Sequence, residues 1–223
     1  MSEDTKTYIV SLKKNVVWHD GAPLDADDVL FTVKTIQNPQ YKSPLRPNWQ
    51  GVRAEKLDRY TIRFSLATPY APFIENLTIG IMPKHLWEGV PPDQATLHEL
   101  NLKPVGSGPY QFDRLKENPD GSLVWYELVR NSAYYREGPY LKKITFSFFP
   151  NEEALVGAWR RGDIDGFGPV NPSHVPEANR QKSIIRSLDV PRIFGLFFNQ
   201  MRAPALADKK VRTAIVRALN KKE

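Results

Sequence analysis

A run of glycine and proline near the middle of the chain constrains the fold more than any other feature. Pro104, Gly106, Gly108 and Pro109 lie within six residues, and Ser107 separates the two glycines. Proline fixes its own φ and favours extended backbone before it, whereas glycine reaches backbone angles that other residues avoid. The run is therefore a shaped turn between two elements, and we predict that two lobes meet there. An ordinary tight loop is the alternative interpretation.

The segment before this turn reads as mixed α and β structure. Apolar residues alternate with polar ones over residues 7–12, which predicts a strand that residues 16–18 continue. Asp25 is suited to cap a helix that ends at Asn38 and carries acids in its first turn. Residues 52–66 predict a β-hairpin.

The segment after the turn is richer in strands. Residues 110–115 and 123–129 predict an antiparallel pair, because apolar runs flank a turn that contains Asp120 and Gly121. The remaining predicted elements are a strand marked by Ile144, Phe146 and Phe148, a helix between Asn151 and Gly162, a short segment over 163–165, a helix over 177–183, a strand over 193–198 and a helix capped by Asp208. The fold class that follows is α/β, of the mixed α+β kind.

Composition excludes several classes of function. The 223 residues are 41% hydrophobic, which predicts a folded chain rather than a disordered one. Cysteine is absent, so disulfides, thiolate catalysis and cysteine-based metal sites are excluded. No apolar run has the length of a membrane helix, and no N-terminal signal sequence is recognisable. Both ends of the sequence look cut, and we expect a fragment of a longer protein.

The net charge of +6 raises the possibility of a nucleic-acid-binding module. The densest basic residues, however, belong to the predicted C-terminal helix, where a solvated polar face is the simpler interpretation. We expect no nucleic-acid partner.

Carboxylates offer a second alternative, a hydrolase. Asp163 and Asp165 are two residues apart and therefore share one face of a strand, and an acidic cluster occurs at residues 25–28. Capping of a helix explains the cluster without catalysis. His19 next to Asp20 is better interpreted as part of a turn, because adjacent residues rarely aim at one point. Histidines at metal-binding spacing are absent, and we expect no metal, no cofactor and no catalytic residues.

Several motifs in one order resemble a known family. They are Trp18-His19-Asp20-Gly21, Pro23-Leu24, Asp27-Asp28-Val29-Leu30-Phe31, Pro83-Lys84-His85-Leu86, Gly106-Ser107-Gly108-Pro109-Tyr110, Arg130-Asn131 with Tyr134-Tyr135, Gly162-Asp163-Ile164-Asp165, Phe198-Asn199 and Asp208-Lys209-Lys210-Val211-Arg212. Together they are similar to the family 5 extracellular solute-binding proteins, the dipeptide- and oligopeptide-binding components of ABC importers. The resemblance covers nearly the whole chain.

The resemblance implies part of a class II periplasmic-binding-protein clamshell, which traps its ligand by hinge closure. Residues 1–103 would form an accessory α/β subdomain of the first lobe. Residues 104–195 would form part of the main body of that lobe, with Gly106, Ser107, Gly108 and Pro109 as the hinge, or joint. Residues 196–223 would form the crossover to the second lobe and its first helix.

The resemblance also implies a ligand contact at Asn199, with Phe197, Phe198 and Gln200 as its neighbours. An amide both donates and accepts hydrogen bonds, and aromatic rings provide apolar walls. An asparagine that only caps the crossover is the alternative. The implied partners are a peptide or other small solute and an inner-membrane permease, in a periplasmic or lipid-anchored extracellular location.

Two expectations concern ligand and assembly. Relatives that take oligosaccharides or nickel complexes leave the identity of the solute open. We also expect bare apolar surface on residues 104–195 and self-association through it.

Overall fold

The structure is a computed structural model that describes Ser2 and residues 4–180, 183–187 and 195–219. It consists of two compact units, Met1–Phe167 and Gly168–Glu223. The domain boundaries predicted after residues 103 and 195 stay predictions.

The helices and strands of the first unit alternate in the mixed manner that the sequence predicts. The strands are β1 (Thr7–Ser11), β2 (Arg53–Asp58), β3 (Thr61–Ser65), β4 (Tyr110–Glu117), β5 (Leu123–Arg130) and β6 (Lys143–Ser147). The α-helices are α1 (Ala26–Gln37), α2 (Arg46–Trp49), α3 (Phe73–Asn76), α4 (Lys84–Trp87), α5 (Pro92–Ala95) and α6 (Glu152–Arg161), and short 3-10 helices span Pro39–Tyr41 and Glu99–Asn101.

In the described part of the second unit, the regular elements are helices joined by irregular segments. It contains α7 (Val175–Arg180), α8 (Lys209–Ala218) and 3-10 helices at Pro172–His174 and Pro204–Ala207. Across both units, no described helix combines the length and the apolar character that crossing a membrane requires.

The first sheet is antiparallel, with the strand order β1-β3-β2. The predicted hairpin over residues 52–66 is confirmed as β2 and β3, and the strand predicted over residues 7–12 is confirmed as β1. Residues 16–18 do not extend that strand. The amide of Trp18 donates to the carbonyl of Ala22 and the amide of Leu24 to that of Val16, so this segment folds back on itself as a turn.

Helix α1 begins where the sequence predicts, because Asp25 caps it. The Asp25 carboxylate accepts a hydrogen bond from the Asp27 amide at 2.9 Å, and the Asp28 carboxylate accepts one from the Asp25 amide at 3.0 Å. This reciprocal capping box satisfies amides that have no partner inside the helix. The helix then ends at Gln37, before Asn38 and Pro39.

Aromatic rings fill the core between α1 and the first sheet. Trp49, Phe64 and Phe73 are almost fully buried, and their ring centroids lie 5.5–5.9 Å apart. Tyr8 extends the cluster from β1, 5.0 Å from Phe73. Truncation of such a ring to alanine costs about 3–5 kcal/mol, so this cluster dominates the stability of the first sheet.

The second sheet is antiparallel, with the order β4-β5-β6, and its two faces differ. One face carries Glu127, whose buried carboxylate receives Arg114 at 2.8 Å, Lys143 at 3.0 Å and Thr145 at 3.2 Å. Hydrogen bonds from Arg114 and then Lys143 lower the pKa of Glu127 from 4.5 to about 2.

The other face of this sheet is apolar, and we call it the apolar sheet face. Side chains alternate between the two faces of a strand, and the register places Phe146 opposite Tyr126 and Ile144 opposite Leu128. Phe112 completes the face from β4, opposite Leu128. None of these five side chains is buried, and Phe146 is 51% exposed.

Two further predictions meet different outcomes. Helix α6 is confirmed, with Asn151 as its N-cap and Gly162 in the left-handed region at its end. The strand predicted over 193–198 is wrong for residues 195–198, which belong to no strand. Residues 193 and 194 lie outside the described part.

Candidate functional site

The glycine- and proline-rich joint is held by hydrogen bonds from both directions along the chain. The amide of Gly106 donates to Nδ1 of His19 at 3.0 Å, and the amide of His19 donates to the carbonyl of Gly106 at 2.8 Å. The carbonyl of Gly108 lies 3.1 Å from Nε2 of the same ring and accepts from Nδ2 of Asn131 at 2.9 Å. The amide of Asn131 donates to the carbonyl of Pro109 at 2.9 Å. The sequence places all these groups far apart.

The joint glycines do not serve the purpose that the sequence suggests. Neither Gly106 nor Gly108 has a positive φ, so backbone freedom is not why glycine occurs there. A Cβ on Gly106 would instead lie 3.3 Å from Cε1 of His19. Gly106 is therefore small so that the imidazole can approach the backbone. The hinge role of the joint residues stays a prediction.

The acidic residues at the start of α1 have structural partners. Asp25 and Asp28 form the capping box, and Asp27 forms an ion pair with Lys56 at 2.7 Å. The hydrogen bond from Lys56 lowers the pKa of Asp27. The helix cap and the ion pair account for the whole cluster, so the geometry does not favour a hydrolase built on it.

The second group of carboxylates, Asp163 and Asp165, does not lie on a strand. Residues 163–165 form bends, contrary to the extended segment that the sequence predicts. Asp163 receives Arg161 at 2.8 Å, and both Asp163 and Asp165 are exposed. Among the residues with described positions, no group of three or more histidine and acidic side chains is placed to hold a metal ion.

Asp20 pairs with a distant histidine instead of its neighbour. Its carboxylate lies 2.7 Å from Nε2 of His85, at the start of α4. Burial alone would raise the pKa of Asp20, but hydrogen bonds from His85 and from the amide of Ala22 outweigh it, and the pKa is lowered. This contact ties α4 to the turn at residues 18–21.

The proposed ligand-contact segment, residues 197–200, belongs to the second unit. Phe197 is 94% exposed, and Asn199 and Gln200 are exposed as well. The side-chain oxygen of Asn199 accepts a hydrogen bond from the amide of Arg202 at 3.0 Å, which closes a local turn. The amide nitrogen of this side chain points to no partner in the described part of the chain.

Phe198 lies in an open groove along α8. The groove has a volume of about 480 Å³ and is lined by Phe198, Lys209, Arg212, Thr213, Val216 and Arg217. Nη1 of Arg212 donates to the carbonyls of Leu206 and Ala207 at 2.7 and 2.8 Å, which fixes the orientation of this guanidinium. Aromatic and cationic side chains thus line one surface.

Sequence reasoning missed His19 and Asn131 as partners of the joint, and it missed the cationic lining beside Phe198. The hydrogen bond between His19 and Gly106 joins residues 87 positions apart, so no local pattern reveals it. The lining of the groove could have been predicted, because Lys209, Thr213 and Val216 recur at helical spacing and therefore lie on one face of the helix.

The comparisons with known proteins agree with one another. The family model for bacterial extracellular solute-binding proteins, family 5 Middle, matches residues 1–223. The oligopeptide-binding protein AppA of Bacillus subtilis is 32% identical over 219 residues, which are 96% of this chain and 39% of AppA.

Two solved structures extend the likeness to the fold. The substrate-binding protein CtaP of Listeria monocytogenes has a TM-score of 0.81 at 32% identity, covering 99% of this chain and 45% of CtaP. NikZ of Campylobacter jejuni, in complex with Ni(L-His), has a TM-score of 0.79 at 25% identity, covering all of this chain and 43% of NikZ.

These matches fix the family and the extent of the likeness. The chain spans about two fifths of the length of the relatives that it matches. The family consists of solute-binding proteins and not of enzymes, and its fold is that of periplasmic binding proteins. The chain belongs to the bacterial extracellular solute-binding proteins, family 5.

Proposed function

We propose that this chain is part of the substrate-binding receptor of an ABC importer. The receptor binds a peptide or a similar small solute between two lobes and delivers it to a membrane permease, from a periplasmic or lipid-anchored extracellular position. The observation that carries the proposal is the family match over all 223 residues. AppA, by its name an oligopeptide-binding protein, supports peptide as the ligand class, whereas the NikZ complex with Ni(L-His) represents the competing class.

Within that receptor, we assign residues 1–103 to the accessory subdomain of the first lobe and residues 104–195 to its main body. Residues 196–223 form the crossover and the first helix of the second lobe. The separate sheets before and after the joint support the first boundary.

Native mass spectrometry of the protein isolated from its host tests the proposal directly. We expect a peptide mass that stays bound under gentle ionisation and is lost on denaturation. A Ni–histidine mass would replace the ligand class but keep the receptor, and a preparation that carries and binds neither ligand would contradict the proposal.

Asn199 is the proposed ligand contact, and its own turn provides a matched control. Asn199→Ala removes the whole amide, whereas Asn199→Asp keeps an oxygen for the Arg202 amide, loses the side-chain donor and adds a negative charge. A ligand hydrogen bond left unmade costs about 1–3 kcal/mol, so we expect both variants to weaken peptide binding by about tenfold in calorimetry. Loss in the alanine variant alone would assign Asn199 to the turn and not to the ligand.

A further inference from the structure

The imidazole of His19 connects the segment before the joint to the joint itself. The amide of Gly106 can only donate, so Nδ1 of His19 accepts and carries no proton. In the neutral ring the proton is then on Nε2, which donates to the carbonyl of Gly108 at 3.1 Å. Both nitrogens of one ring are thereby used on two residues of the joint, and the ring is held in one tautomer and one orientation.

The carbonyl of Gly108 also links the joint to the second sheet. It also accepts from Nδ2 of Asn131, the residue that directly follows β5 and is only 4% exposed. A carbonyl oxygen has two lone pairs, and here one serves each side of the joint. His19 and Asn131 are thus linked through a single oxygen atom.

Packing reinforces these hydrogen bonds. Val16, Trp18 and Leu24 form a small buried cluster, against which Val105 of the joint and Tyr135 pack. Nζ of Lys13 donates to the carbonyl of Tyr135 at 2.9 Å and lies 5.2 Å from the centre of its ring. The turn at residues 16–24 therefore contacts both the joint and the chain that follows it.

We infer that His19 is a positioning residue that locks the joint at residues 104–109, so that the first and second sheets move as one rigid body. A flexible hinge needs backbone groups that exchange partners freely, whereas here the amide of Gly106 and the carbonyls of Gly106, Gly108 and Pro109 are all engaged. The lock is a property of this chain. Its consequence, that the receptor does not close at this joint, rests on the proposed function and is opposite to the hinge role that the sequence predicts for these residues.

The wild-type chain gives the first test, which requires no variant. A scalar coupling across the hydrogen bond between the Gly106 amide and Nδ1 of His19 is expected in nitrogen-15 NMR spectra, with Nε2 as the protonated ring nitrogen. A protonated Nδ1, or no coupling in a spectrum that resolves both resonances, would overturn the inference.

Variants give the second test. In His19→Ala, we expect the Gly106 amide to exchange with solvent about tenfold faster, because its partner is gone. We also expect residual dipolar couplings of β1–β3 and β4–β6 to require two alignment tensors where the wild type fits one. His98→Ala is the control, since His98 contacts Trp87 and the amide of Leu100 and not the joint.

The outcomes separate the lock from the receptor function. One shared tensor in His19→Ala would show that the imidazole does not set the orientation of the sheets and would overturn the inference, whatever ligand the protein binds. If His19→Ala does not fold, Gly106→Ala replaces it, because its Cβ would lie 3.3 Å from the ring and displace it.

Discussion

Glu127 shows how one residue makes the stability of the second sheet depend on pH. Its pKa is lowered to about 2 in the folded chain, so its ionised form stabilises the fold fully above about pH 4.5, and this contribution is lost as the pH falls towards 2. Glu127→Gln removes the charge, and Arg114 and Lys143 lose the carboxylate that they share. We expect the variant to unfold at a lower urea concentration than the wild type at pH 7, and the difference to shrink between pH 4.5 and 2.

Glu117→Gln is the matched control for this experiment. It makes the same change on the neighbouring strand β4, where Glu117 is exposed and forms no ion pair with a described residue. Its unfolding midpoint should follow the wild type at every pH. A difference for Glu127→Gln that stays constant from pH 7 to 2 would contradict the role given to its charge.

At the scale of elements, the capping box should decide how stable the start of α1 is. Asp25→Ala deprives the Asp27 amide of its acceptor and should cost about 1 kcal/mol in urea unfolding. Asp25→Asn keeps a side-chain oxygen in the same place and should retain most of that stability. Equal losses in the two variants would point instead to the carboxylate charge, which also faces Arg59 at 3.4 Å.

The elements also show which parts of the fold the sequence predicts. Helices α1 and α6 were predictable because the residues that begin and end them act locally. Asp25 and Asn151 accept hydrogen bonds from amides in the first turn, and Gly162 ends α6. Residues 16–18 have strand-like side chains but do not extend β1, because they pair with residues 22–24 across a local turn. Propensity therefore predicted the extended backbone of these residues but not the segment with which they pair.

At the scale of the whole molecule, contacts between residues far apart in the sequence could not be predicted from local patterns. The joint was recognisable from its glycines and prolines, but what holds it comes from His19 and Asn131, which lie 87 and 23 positions from their partners in the joint. The family resemblance supplied what local patterns could not, namely the receptor architecture, and the family match supports it.

The apolar sheet face leads to the last prediction, self-association of the chain. A continuous apolar surface on a sheet is a common site of contact between proteins, and here Phe146 is 51% exposed at its edge. We expect light scattering after size exclusion to show a mass that rises with concentration. Phe146→Ser should weaken the association about tenfold, or about 1.4 kcal/mol.

A control variant distinguishes association through this face from non-specific hydrophobic association. Tyr140 is 91% exposed in the loop before β6, so Tyr140→Ser removes a more exposed ring that lies outside the sheet. If the chains associate through the sheet face, Tyr140→Ser should associate like the wild type, because the Tyr140 ring is not buried in that contact. A mass that stays monomeric up to millimolar concentration would show that the apolar sheet face does not mediate contact between copies of the chain. An equal effect of both variants would mean that the association does not depend on this face.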